Sequence, residues 1–110
     1  MDIRITARHF TANDSLREYA FAALKKLERY YNGILNADMV LSYQKMQNSV
    51  KTVELHVSVY GMTLKSVSES EDFSKSVDEA IDKVERQIQR YKSKLRDKEK
   101  EKIRKVTEKV

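Results

Sequence analysis

Apolar residues recur along this chain with two periods, and each change of period marks a change of element. Ile3, Ile5 and Ala7 alternate with Arg4, Thr6 and Arg8, which predicts a short strand with one buried face. From Asp14 the spacing turns helical. Leu16, Ala20, Ala23, Leu24, Leu27 and Tyr31 form one stripe of a helix ending near Tyr31. Asn13 is placed to cap it, and Asp14 and Glu18 sit toward the positive end of its dipole. Asn32-Gly33 stops the pattern, with Gly33 expected as the left-handed residue after the helix. Alternation then returns in Ala37, Met39, Leu41 and Tyr43 and breaks at Gln47-Asn48-Ser49. It resumes in Val53, Leu55, Val57 and Val59, with Thr52, Glu54, His56, Ser58 and Tyr60 on the other face. Gly61 predicts a tight turn into a fourth strand, Met62 to Ser70, whose many serines blur its pattern.

The strongest helical signal comes last. Between Asp72 and Lys98, Val77, Ile81, Val84, Ile88, Tyr91 and Leu95 share one stripe. Lys83, Arg86, Arg90 and Lys94 collect more than a quarter turn away, so one face can cover a core while another presents cations. The order strand, helix, three strands, helix predicts an α+β fold. It is a two-layer β-α-β-β-β-α sandwich, a four-stranded mixed sheet with both helices on one face. A right-handed crossover leaves the first two strands parallel. Lys25, Lys26 and Arg29 on the first helix are then expected beside the cations of the second, as one joint basic surface. Residues 1–96 form the domain, and 97–110 a charged tail, either a helix extension or disordered.

Charge sharpens this picture. The net charge of the 110 residues is +5, yet from Lys83 onward 12 Lys/Arg face only 5 Asp/Glu, whereas residues 1–82 carry 10 and 12. A near-neutral body with a basic C-terminal arm suits a polyanionic partner. With no cysteine, disulfides and thiolate metal sites are excluded. The opening MDIRITARHF lacks the apolar centre of a signal peptide, and no apolar run nears the ~18 residues of a membrane span. A cytoplasmic protein with no membrane partner is expected. His9 and His56 are the only histidines and belong to no ligand-spaced cluster, so no catalytic residue and no metal ligand is assigned. Glu69, Glu71, Asp72, Asp78, Glu79 and Asp82 are read as serving the helix dipole. No cofactor and no small-molecule substrate are expected.

These residues resemble a known family. Asp72-Phe73, the run Ala80-Ile81-Asp82-Lys83-Val84-Glu85-Arg86-Gln87-Ile88, then Lys92 and Lys94-Leu95 look like ribosome hibernation promoting factors, the protein Y or ribosome-associated inhibitor A family. Ile3-Arg4-Ile5-Thr6, Leu16-Arg17-Glu18 and Lys26-Leu27-Glu28 agree, so the resemblance covers residues 1 to about 96. It implies a translation inhibitor with no chemistry of its own. Such proteins occupy the mRNA and tRNA channel of the small ribosomal subunit and hold idle ribosomes inactive in stationary phase or stress. By motif position it implies rRNA contacts for Lys26, Lys83, Arg86, Arg90, Lys92 and Lys94. Lys25 and Arg29 join them from the helical-face argument, while Lys92 lies nearer the apolar stripe, where its stem can pack along the edge. Longer family members carry a second, C-terminal domain, so the chain resembles the short form or a piece of a long one.

Two readings of another class compete. A general double-stranded RNA binder also lays two helices on a meander sheet. A helix-mediated protein interaction module could use the Val77–Leu95 stripe to pair with another chain. The stripe is needed to cover the sheet, so a monomer is expected when free.

Overall fold

The computed structural model describes residues 1–44 and 49–108. The elements are β1 (Asp2–Arg8), α1 (Asp14–Tyr30), β2 (Ile34–Gln44), β3 (Val50–Val59), β4 (Met62–Ser70) and α2 (Phe73–Glu108). The sheet runs β1-β2-β3-β4, with β1 parallel to β2 and both later pairings antiparallel. This is the expected α+β sandwich. Period-2 alternation drives it: Val53, Leu55, Val57 and Val59 of β3 are buried, as are Ala37, Met39 and Leu41 of β2, beneath one layer of helix. Leu24 and Leu27 of α1, with Val77, Val84 and Ile88 of α2, close that layer. α1 lies toward β1 and β2, and α2 covers β3 and β4. Of the break at Gln47-Asn48-Ser49, Gln47 and Asn48 lie outside the described residues, as do the last two residues of the charged tail.

Local signals set the helix ends, in one case differently from expectation. The Asn13 side chain accepts from the Leu16 N–H at 2.8 Å, closing the first turn of α1. Asp72 precedes α2 and accepts from the backbone N–H and the hydroxyl of Ser74. At the far end of α1, however, Gly33 is not left-handed. Tyr31 ends the helix in extended geometry, φ −151° and ψ 118°, its N–H still bonded to the Leu27 carbonyl. Glycine at 33 instead leaves room for the Tyr31 ring, which packs edge-on against Tyr91; a Cβ there would force that ring to shift. Gly61 does take positive φ, +85°, in the two-residue turn that pairs Val59 with Met62.

The serines of β4 face inward. Ser66 and Ser68 are buried while Val67 points out, 51% exposed. The Ser66 hydroxyl donates to the Ala80 carbonyl at 2.9 Å, so a short polar residue lets α2 lie close over this strand. The expected apolar stripe of α2 is buried from Val77 to Tyr91, but Leu95 is 38% exposed. By that point the helix has reached the tip of the β3–β4 hairpin, where Tyr60, Gly61 and Met62 border Leu95 without completing its burial. α2 continues roughly 25 Å beyond Tyr91, at 1.5 Å per residue, to Glu108. Among the described residues no helix is long and apolar enough to cross a membrane.

Candidate nucleic-acid interface

α2 has two flanks, and their neighbours differ. Toward α1, Asp78 accepts from the Tyr19 hydroxyl at 2.6 Å, and Tyr91 meets Tyr31. That hydrogen bond raises the Tyr19 phenol above its ordinary 10.0, with desolvation and the charges of Asp78 and Asp72 adding to it. Burial likewise pushes the Glu85 carboxyl up and Asp82 adds to it, while Lys26 of α1 pulls it back. Lys92 is half-buried, with Nζ 5.4 Å from the centre of the Tyr30 ring, so its stem packs along the edge of the stripe.

Toward β4 the same helix borders a trench of about 470 Å³. Lys83, Arg86, Gln87, Arg90 and Lys94 form one wall, and Met62, Leu64, Lys65, Ser66 and Val67 the other. The lining carries five cations and no carboxylate. Two of its side chains finish the sheet. In the β3–β4 ladder Lys65 and Val67 direct their carbonyls to the outer edge, and Gln87 Nε2 and Lys83 Nζ donate to them at 2.7 Å each. Covering an edge this way removes a template for unwanted strand pairing. Lys83 is thereby anchored by its own fold, while Arg86 and Arg90 are exposed and a turn apart.

The eight basic residues singled out in the sequence therefore separate. Lys83, Arg86, Arg90 and Lys94 come together in the trench. Lys25 lies across the molecule over the Phe21 ring, 3.3 Å from Glu28. Lys26 and Arg29 are exposed on α1, and the charge of Lys26 reaches Glu85. On α2, the exposed Asp82 and Gln89 lie between the trench cations and those on α1. Lys65 and Gln87, which also line the trench, were missed in sequence. The Tyr60-Gly61 turn could have found Lys65, since it fixes which β4 residues point outward.

Among the described residues no group of three His, Cys, Asp or Glu side chains is placed to hold a metal ion. His9 is exposed at φ 66° in the loop before α1, and His56 lies 4.0 Å from Glu54 on the outer face of the sheet.

Comparison with known proteins gives a consistent answer. Residues 3–96 match the family described as sigma 54 modulation protein / S30EA ribosomal protein. The ribosome hibernation promotion factor of Staphylococcus aureus (strain COL) is 29% identical over 87 residues, 79% of this chain and 46% of that protein. The chain thus spans less than half the length of that relative. A ribosomal subunit interface protein from Coxiella burnetii superposes with a TM-score of 0.76 at 28% identity, over 84% of this chain and 99% of that one. The N-terminal domain of Protein Y from Thermus thermophilus gives 0.72 at 29% identity, over 83% and 99%.

Proposed function

The chain belongs to the sigma 54 modulation protein / S30EA ribosomal protein family, and from that premise we propose that it binds the small ribosomal subunit and inhibits translation. In this reading it occupies the channel where messenger and transfer RNAs meet and keeps idle ribosomes inactive during stationary phase or stress. One observation carries the reading: Arg86, Arg90 and Lys94 stand in a row on a rigid helix, over a trench without a carboxylate. Folded rRNA offers phosphates and 2′-hydroxyls on a fixed shape, and cations held on a rigid element recognise that without a groove code. Inhibition is by occlusion. The domain fills space that the RNAs need, with no bond made or broken and no metal or cofactor, and it acts in the cytoplasm where ribosomes are.

The test is co-sedimentation with purified small subunits across a salt series, with an RNA duplex as competitor. Wild type should bind saturably, resist the duplex and lose affinity steeply with salt. Replacing Arg86, Arg90 and Lys94 together with alanine should weaken binding roughly a hundredfold. The salt slope should fall by about three, one for each phosphate that is no longer neutralised. Equal competition by the duplex would identify a general RNA binder. Absence of binding at low salt would remove the ribosomal assignment.

A further inference from the structure

The basic trench does not end at Lys94. A second hollow of about 370 Å³ adjoins it, lined by Tyr60, Gly61, Met62, Tyr91, Lys94 and Leu95. Met62, Tyr91 and Lys94 line both, so the two form one continuous track along α2, cationic at one end and apolar at the other. Three apolar side chains stand open at that second end: Tyr60 at 83%, Met62 at 47% and Leu95 at 38% exposure. Tyr60 is also held in place. It sits at the tip of the β3–β4 hairpin, and its carbonyl accepts from the Tyr91 hydroxyl at 2.8 Å, so a bare ring is mounted on a backbone fixed to α2.

We infer that this track takes a short single-stranded RNA segment, its phosphates against Arg86, Arg90 and Lys94 and one base stacked on the Tyr60 ring. The inference rests on the ribosomal reading and names the kind of RNA its site receives. A duplex accounts for only half of the track, because it offers phosphates and hides its base faces. A single strand offers both, and a cationic groove joined to an aromatic platform is the combination that binds single strands without sequence preference. Lys83 to Lys94 spans roughly 16 Å of helix, room for about four nucleotides, the short end of known single-strand sites.

Tryptophan is absent from the chain, so Tyr60→Trp supplies a single reporter at the platform. Titrated with an unstructured pyrimidine octanucleotide at low salt, its emission should be quenched saturably. Tyr60→Ala should weaken oligonucleotide binding roughly tenfold, and Tyr60→Phe should bind as wild type, because stacking needs the ring and not the hydroxyl. Since only the Tyr60 backbone is used in the fold, Tyr60→Ala should melt at the wild-type temperature. An unquenched reporter, wild-type affinity in Tyr60→Ala, or equal quenching by a duplex overturns the inference. So does oligonucleotide-independent quenching that grows with protein concentration, which would assign the apolar end to contact between copies. Small-subunit co-sedimentation of wild type in parallel separates the two claims. Subunit binding without oligonucleotide binding removes the single-strand track and leaves the ribosomal reading standing.

Discussion

Along its flank toward α1, the long helix sets its polar residues against neighbours: Asp78 bonds to Tyr19, Lys92 lies over the Tyr30 ring, and Glu85 feels the charge of Lys26. Along its flank toward β4, Arg86, Arg90 and Lys94 border a trench with no carboxylate in its lining. One helix thus holds its partner helix with one side and presents charge with the other. The difference teaches that a count of cations does not define a site. A lysine beside a glutamate or against a ring is partly neutralised or packed, and gives up less counterion on meeting a polyanion than an arginine facing open solvent.

The largest change should come from the residue under both flanks. Ile88 is fully buried on the inner face of α2, and Ile88→Ala should cost about 3 kcal/mol, lowering the thermal midpoint by roughly 10 °C or more. A smaller loss in calorimetry would mean that the two flanks are supported separately. Next is the contrast itself. Changing Lys25, Lys26 and Arg29 together to alanine should weaken small-subunit binding less than about fivefold and lower the salt slope by no more than about one. Losses matching those of the Arg86, Arg90 and Lys94 triple variant would restore a joint surface and erase the contrast.

The smallest effect concerns Glu85, on the engaged flank. Its carboxyl is raised above the ordinary 4.5, so the fold favours the protonated form. Its favourable contribution is therefore present below pH 4.5 and lost as pH rises through the folded value. Glu85→Gln should melt slightly above wild type at pH 7, and that advantage should vanish below pH 4.5, where both side chains are neutral. Repeating the melts in Lys26→Ala should widen the gap at pH 7, because Lys26 is what pulls the carboxyl back. An unchanged gap would mean that Lys26 is no partner of Glu85.

Much of this molecule was legible in the sequence because it depends on period and composition. Val53 to Val59 alternate strictly, and Val77 to Tyr91 repeat at helical steps, so the buried faces followed directly. The Asn13 cap was equally local: one side chain, three residues from the N–H it accepts. Gly33 was misread because sequence shows that a glycine follows a helix and not which ring it makes room for. Leu95 was misread because the period continues where the sheet has ended. The serines of β4 blurred a strand that was expected all the same, whose inward positions are small so that a helix can lie close.

The sequence by itself determined the elements, the two-layer fold and a basic C-terminal arm, since each follows from spacing along one chain. Only the tertiary structure decided which cations lie together. Whether Lys83 meets the Val67 carbonyl or Tyr19 meets Asp78 depends on how helices and sheet are juxtaposed, across 59 residues of separation in the case of Tyr19 and Asp78. Charge is a property of residues, but its availability to a partner is set by what else lies within a few ångströms, and that is fixed only when the chain is packed.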